Sequence, residues 1–183
     1  MSGEEVVPAK KKRKGTKDER LKRSQVLLDV TRRCASLANI QDVWKELVSM
    51  TSYELDCDRG TLFLNDNETN ELFSFVAQGN LTREIRILND SGIAGHVFQT
   101  GQAMLSDNPY EDPLFNREVD QRTGYTTRNI ACVPVRTMAG EKIGVMQTLN
   151  KRVGEFNEAD LDLLEQMTTQ AAVVLQGLQH FEQ

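Results

Sequence analysis

The sequence predicts an α+β fold with three layers, in which a central antiparallel six-stranded sheet lies between two sets of helices. Three observations predict it: helical periodicity at both ends of the chain, short strand-like runs between them, and turn residues that join these runs. The N- and C-terminal helices are expected on one face of the sheet. A short helix and a long loop are expected on the other face.

Charge is distributed unevenly along the 183-residue chain. Residues 1–23 contain nine Lys or Arg and four acidic residues, whereas residues 24–183 contain thirteen basic and twenty-three acidic residues. Residues 1–17 lack periodicity, so we expect a disordered basic tail followed by one domain over residues 18–183. The basic cluster at residues 8–14 fits a solvated tail, a nuclear-import signal, a nucleic-acid arm or a membrane-surface patch. Aromatic residues do not interleave the charges, so base stacking has no support, and we see no strong case for nucleic acid or a membrane.

The cysteine and histidine content limits the chemistry of this chain. Cys34, Cys57 and Cys132 lie far apart without a CxxC pair, which fits buried thiols in a reducing, cytoplasmic compartment. With only His96 and His180 available, we predict no metal site and no catalytic constellation. We also find neither the apolar core of a signal peptide nor an apolar run long enough to span a bilayer.

The N-terminal helix is predicted over residues 18–37. Its Leu21, Leu28 and Ala35 repeat at intervals of seven residues, and such a narrow apolar seam favours pairing with another helix. Asn39 then caps a second helix, whose wider apolar face is expected to pack on the sheet.

The strand-like runs follow these two helices and are separated by turn residues. They are residues 59–65, 71–77, 84–88, 103–106, 129–136 and 142–150. A short helix is predicted over residues 92–100, where the first N–H groups are free to bind a small anion or a carbonyl. Residues 107–127 form a long irregular region, in which residues 118–122 suit one helical turn.

The C-terminal helix is predicted over residues 157–181, with Asn157 as its cap and Asp160 placed to complete a capping box. Its apolar positions alternate between spacings of three and four residues, which is again typical of a heptad seam. They are Leu161, Leu164, Thr168, Ala171, Leu175 and Leu178. Both terminal helices are therefore predicted to present a face to a partner, as in a homodimer.

Six segments of the chain together resemble a GAF domain. They are residues 59–64, 84–87, 92–97, 112–115, 119–129 and 143–151. The resemblance is closest to the cyclic-nucleotide-binding GAF domains of phosphodiesterases and class III adenylyl cyclases. Its most specific part is the run 128–130 (Arg-Asn-Ile) followed by Asn150 and Lys151, with Phe156 and Asp160 behind them. This part corresponds to the family's N-K…F-x-x-x-D motif, although Leu161 stands where that family usually has Glu.

The resemblance implies a ligand pocket roofed by the long loop. The family's ligand contacts correspond to Thr61, Ala77, Gln78, Ile93, Ala94, Asp120, Thr123, Thr127 and Gln147. The backbone N–H groups of Ile93 and Ala94 are expected to hold a phosphate, which the acidic field of the domain would otherwise repel. Asp120 is expected to recognise the base edge. Two positions depart from the vertebrate pattern, because Ala77 replaces an aromatic residue that stacks on the purine and Gln147 replaces an acidic residue.

The resemblance also implies that Lys151 forms an ion pair with Asp160, which supports the lid without touching the ligand. An alternative is that this pair only secures the entry to the last helix. In either case Asn150, Lys151, Phe156 and Asp160 are interpreted as structural residues.

The favoured hypothesis is a regulatory module that is not an enzyme and needs no cofactor. A small molecule, cAMP or cGMP, closes the lid over residues 107–127, and dimeric terminal helices relay the change to an effector domain or partner protein outside this chain. Two alternatives are a ligand-free GAF scaffold that only dimerises, and a GAF-type free methionine sulfoxide reductase that uses Cys57 or Cys132.

Overall fold

The computed structural model describes residues 15–79 and 84–181, with side chains as far as Gly177. Most of the predicted basic tail, residues 1–14, lies outside the described residues. The side chains of Leu178 and His180 also lie outside the described part of the chain.

The helices and strands follow the predicted order, with bounds that differ from the prediction by no more than two residues. The helices are α1 (Lys17–Ala35), α2 (Ile40–Glu54), α3 (Gly92–Thr100), α4 (Arg117–Thr123) and α5 (Glu158–Phe181). The strands are β1 (Cys57–Asp66), β2 (Glu71–Ala77), β3 (Arg86–Leu88), β4 (Met104–Ser106), β5 (Ile130–Arg136) and β6 (Lys142–Lys151). A 3-10 turn at Pro109–Glu111, which we did not predict, lies in the long loop. Within residues 15–79 and 84–181, no helix is both long and apolar enough to cross a bilayer.

The six strands form one antiparallel sheet in the order β3-β2-β1-β6-β5-β4, which confirms the predicted sheet. Its register aligns predicted ligand residues across the two central strands. Thr61 of β1 lies opposite Ala77 of β2 on one side and opposite Gln147 of β6 on the other. Cys132 of β5 continues this row beyond Gln147.

The two faces of the sheet carry separate hydrophobic cores, because side chains alternate along each strand. Leu62 and Met146 belong to the core that includes the buried faces of α1, α2 and α5. Phe63 and Val145, their neighbours in sequence, belong to the core that includes α3. This arrangement confirms the predicted three layers.

The apolar seam of α5 packs inside its own domain. Five of its six predicted seam positions are described, and each is at most 7% exposed: Leu161, Leu164, Thr168, Ala171 and Leu175. They belong to a helix that packs against α1, α2 and β5. The prediction that this seam faces a partner was wrong, because alternating spacings of three and four also describe a helix that covers a sheet.

The N-terminal helix carries two apolar stripes. Val26, Val30 and Cys34 are spaced four residues apart and buried against the domain. Leu21 and Leu28 lie on the opposite side, where their side chains are 58% and 60% exposed. The predicted seam of α1 therefore faces outward and is not covered by its own domain.

The start of α1 is fixed by a capping box. The Thr16 hydroxyl accepts from the backbone N–H of Glu19, and the Glu19 carboxylate accepts from the backbone N–H of Thr16. These reciprocal bonds satisfy two N–H groups that otherwise lack partners at a helix start. The helix consequently begins at Lys17, a residue that we assigned to the tail.

Candidate ligand-binding site

A small cavity lies between the sheet and α4, on the face opposite α1 and α5. Five of the predicted ligand residues line it: Thr61, Gln78, Asp120, Thr123 and Gln147. The other lining residues are Arg59, Phe63, Ile85, Val119, Tyr125 and Leu149. The volume of the cavity is about 40 Å³. At about 10–15 Å³ for each water molecule, this is room for roughly three.

The floor of the cavity is built by strand register. Thr61 is 5% exposed and lies beside Gln147 on the neighbouring central strand. Ala77 is the partner of Thr61 on the other side, but it is not among the residues that line the cavity. Ala77 thus lies next to the cavity floor without lining it.

The carbonyl oxygen of Gln78 bonds to its own chain. Its Oε1 atom accepts from the Ser52 hydroxyl at 2.6 Å and from the backbone N–H of Gly60 at 2.8 Å. Gly60 is needed at this point, because a Cβ atom there would lie 2.9 Å from the Ser52 Oγ atom. These contacts connect the edge of the cavity to α2.

Asp120 joins three parts of the roof. It is 7% exposed, and its carboxylate accepts from the Tyr110 hydroxyl at 2.8 Å. The same carboxylate accepts from the backbone N–H of Thr127 at 2.7 Å and from its hydroxyl at 2.8 Å. The hydrogen bond to Asp120 raises the pKa of Tyr110 above its ordinary value. Two predicted ligand contacts, Asp120 and Thr127, therefore bind each other in this conformation.

The remaining predicted contacts differ in their surroundings. The Thr123 side chain is exposed at the end of α4, and its hydroxyl donates to the Val119 carbonyl at 2.8 Å. Ile93 and Ala94 lie in the first turn of α3, where their side chains are 3% and 6% exposed. Neither of these two residues, nor Thr127, is among those that line the cavity. The structure thus brings five predicted residues together and leaves four at the periphery.

Arg59 is a cavity residue that the sequence analysis missed. Its guanidinium carbon lies 3.9 Å from the centre of the Tyr125 ring, and the Tyr125 hydroxyl is 3.5 Å from an oxygen of Asp58. Burial, with a smaller effect from Asp58, raises the pKa of Tyr125 to about 12. Strand alternation was the available signal, because Arg59 precedes Thr61 by two residues and so shares its face of the sheet.

The end of the roof is held by Asn150. Its Oδ1 atom accepts from the backbone N–H of Arg128 at 2.6 Å and, more weakly, from that of Asn129 at 3.4 Å. Its Nδ2 group donates to the carbonyl of Thr126 at 2.9 Å. One side chain therefore fixes the backbone on both sides of Thr127.

Lys151 connects this region to the start of α5. Its Nζ atom lies 2.8 Å from Asp160 Oδ2 and donates to the carbonyl of Leu55 at 3.2 Å. The same Asp160 oxygen accepts from the backbone N–H of Asn157, whose side chain accepts in return from the N–H of Asp160. Phe156 is 3% exposed beneath the pair. The ion pair and the capping box therefore share one carboxylate, so this motif also secures the entry to α5.

The described cysteines lack the setting of a reactive thiol. All three are free and buried. Burial raises the pKa of Cys34 and of Cys57 to about 11, and it raises the pKa of Cys132 further. Because the thiolate is the nucleophile, these surroundings do not favour a reductase. Within residues 15–79 and 84–181, no group of three or more His, Cys, Asp or Glu residues is placed to hold a metal ion.

Comparison with known proteins places this geometry in a family. The profile of the GAF domain family matches residues 39–175. Over 157 residues the chain is 34% identical to a probable 3′,5′-cyclic phosphodiesterase, pde-5, of Caenorhabditis elegans, with 79% of this chain and 21% of the relative covered. It is 28% identical over 181 residues to the dual 3′,5′-cyclic-AMP and -GMP phosphodiesterase 11 of Drosophila melanogaster, with 90% of this chain and 12% of the relative covered.

Solved structures share the fold at lower identity. The GAF domain of a phosphoenolpyruvate-protein phosphotransferase from Coxiella burnetii has a TM-score of 0.77 and 16% identity, with 88% of this chain and 97% of that chain covered. The free methionine-R-sulfoxide reductase of Neisseria meningitidis has a TM-score of 0.75 and 17% identity, with 91% and 95% covered. The chain spans about a fifth or less of the length of the curated relatives described above. Because the family profile covers well over half of its residues, this chain belongs to the GAF domain family.

Proposed function

We propose that this chain is the regulatory domain of a cytoplasmic signalling protein and that it binds cAMP or cGMP between the sheet and α4. The observation that carries the proposal is that Thr61, Asp120 and Gln147, from three separate elements, line one cavity. The phosphodiesterase names of the curated relatives support it, since their similarity falls on this domain. The effector domain or partner protein lies outside this chain.

The chemistry of the cavity suits a nucleotide. The Asp120 carboxylate accepts hydrogen bonds and is placed to recognise N–H groups on a base edge. The Thr123 hydroxyl is exposed, and it can donate to a phosphate or ribose oxygen by giving up its bond to the Val119 carbonyl. Arg59 lines the cavity with a planar cation that is stacked on Tyr125, and a purine can stack on it when the roof moves, in place of the aromatic residue that Ala77 replaces.

A nucleotide requires the roof to move. The cavity of about 40 Å³ is far too small for a purine, a ribose and a phosphate. The roof is formed by α4 and Tyr125, which are held by a few side-chain hydrogen bonds. Binding therefore selects a conformation in which α4 is displaced, so the roof has to open before the lid can close over a ligand as expected from the sequence. The affinity is lowered by the rarity of the open conformation in the free protein.

Replacing Thr123 by Ala tests the proposed site. We expect the dissociation constant for cAMP or cGMP in calorimetric titration to rise about ten- to a hundredfold, because a hydrogen bond to a charged group is worth about 1.5–3 kcal/mol. The matched control is Thr169→Ala. Thr169 is likewise exposed on a helix, and its hydroxyl donates to the carbonyl four residues earlier at 2.9 Å, as that of Thr123 does at 2.8 Å.

The titration also distinguishes the alternatives. If the unmodified domain binds neither nucleotide, the sensor proposal fails and the ligand-free scaffold takes its place. If Thr169→Ala lowers the affinity as much as Thr123→Ala does, the loss reflects helix stability and the site assignment is wrong.

We propose that the conformational change caused by the ligand is passed on through a homodimer, which forms through the exposed stripe of α1. Leu28 is 60% exposed and seven residues from Leu21. Replacing Leu28 by Lys should convert the dimer to a monomer in sedimentation experiments, because a heptad seam tolerates charge poorly. Leu88→Lys is the matched control, since Leu88 is also 60% exposed but lies on β3 at the sheet edge. A dimer that survives Leu28→Lys, or a monomeric parent domain, would rule out this interface.

A further inference from the structure

We propose that the roof of the cavity is latched shut by Asp120, whose carboxylate holds Tyr110 and Thr127 against α4. The claim that this latch regulates ligand binding rests on the proposed function. The latch adds to that function the contact that a ligand must break. Its existence as a closed contact is independent of any ligand and can be tested alone.

The latch joins three segments that are separate in the chain. Tyr110 lies in the 3-10 turn, Asp120 lies on α4, and Thr127 precedes β5. The three hydrogen bonds that Asp120 accepts measure between 2.7 and 2.8 Å. Asp120 is 7% exposed and Thr127 is 3% exposed, so water competes little for these bonds. Hydrogen bonds to an ionised carboxylate are also stronger than neutral ones.

Tyr110 is positioned for this role by its other neighbours. Its ring centre lies 5.2 Å from that of Phe115, at an angle of 55°. The Arg117 guanidinium lies 5.3 Å from the ring centre and donates to the Tyr110 carbonyl. These contacts hold the ring without its hydroxyl, so the hydroxyl can be removed while the packing of the roof remains.

The latch and a ligand compete for the same groups. Asp120 lines the cavity, and the bonds that its carboxylate accepts from the described residues come from Tyr110 and Thr127, two at Oδ2 and one at Oδ1. Because a carboxylate has about four acceptor sites and Oδ2 already accepts two bonds, a ligand that bonds to both oxygens must displace Tyr110 or the Thr127 amide. Removing the Tyr110 hydroxyl should therefore raise the ligand affinity, whereas removing a true ligand contact lowers it. The direction of the change in ligand affinity therefore distinguishes a latch residue from a residue that binds the ligand.

The test uses Tyr110→Phe, with Tyr53→Phe as the control because Tyr53 is 81% exposed on α2. Hydrogen exchange of the Thr127 amide, measured without ligand, should become several-fold faster in Tyr110→Phe and stay unchanged in the control. Asp120→Ala should accelerate it further, because it removes both oxygens that accept from Thr127. In calorimetric titration with cAMP and cGMP, Tyr110→Phe should bind about fivefold more tightly than the parent domain.

Each result decides one of the two proposals. Unchanged exchange at Thr127 in both Tyr110→Phe and Asp120→Ala overturns the latch, whatever the titration gives. A weaker affinity in Tyr110→Phe also overturns it, since Tyr110 would then be a ligand contact. Faster exchange supports the closed contact. If exchange is faster but neither nucleotide binds any variant, the cyclic-nucleotide proposal is what fails.

Discussion

Replacing Asn150 by Ala is expected to lower the free energy of unfolding by about 3–4 kcal/mol. Asn150 is 1% exposed and accepts a 2.6 Å hydrogen bond from the backbone N–H of Arg128. Each buried polar group left without its partner costs about 1–3 kcal/mol, and the Thr126 carbonyl loses its donor as well. The φ angle of Asn150 is 59°, a left-handed conformation that adds about 1 kcal/mol of strain when Ala occupies it.

Asn70→Ala separates these two causes. Asn70 has a φ angle of 57°, but it lies in an exposed turn between β1 and β2. It should therefore show only the backbone effect of about 1 kcal/mol. Urea unfolding of both variants gives the comparison directly. Equal losses would mean that the buried hydrogen bonds of Asn150 contribute nothing to the stability of the roof.

Much of the fold could be predicted because local signals determine it. Asn39 caps α2 as expected, its side chain accepting from the N–H of Asp42 at 2.8 Å. Asn157 and Asp160 form the predicted capping box at the start of α5. Caps and periodicity act within one or two turns of a helix, so a single sequence is enough to find them.

The orientation of the helices depends on contacts that are distant in sequence. The spacing of Leu164 and Leu175 showed that one face of α5 is apolar, but not that its own sheet covers that face. In α1 the spacing of Leu21 and Leu28 identifies an exposed stripe, whereas the buried stripe consists of Val26, Val30 and Cys34. Periodicity identifies an apolar face, and only the tertiary arrangement decides what lies against it.

The sequence was enough to predict several residues of the candidate site, but not the hydrogen bonds that these residues already make. The resemblance supplied Thr61, Asp120 and Gln147, and the register of the sheet explains how the first and last come together. It did not indicate that Asp120 is already hydrogen-bonded to Tyr110, ten residues away. Whether a polar side chain is occupied by its own chain depends on distances that no sequence pattern specifies.

Replacing Lys151 by Met is expected to lower the free energy of unfolding by about 2–3 kcal/mol. The side chains of Lys151 and Asp160 are only 19% and 17% exposed, and the substitution leaves the carboxylate poorly hydrated without its cation. Loss of one partner from a fully buried pair costs about 3–5 kcal/mol. A loss below that range is expected here because Asp160 keeps the bond from the backbone N–H of Asn157.

The adjacent residue provides the control. Arg152 lies 3.2 Å from Asp56 and 3.7 Å from Asp58, but its side chain is 56% exposed. Exposed pairs contribute about 0–1 kcal/mol, so the free energy of unfolding of Arg152→Met should remain close to that of the parent domain. A double-mutant cycle with Asp160→Asn then isolates the coupling in the buried pair. If Lys151→Met proves no more damaging than Arg152→Met, the N-K…F-x-x-x-D motif does not stabilise this domain through its ion pair, and only the capping box remains as its structural role.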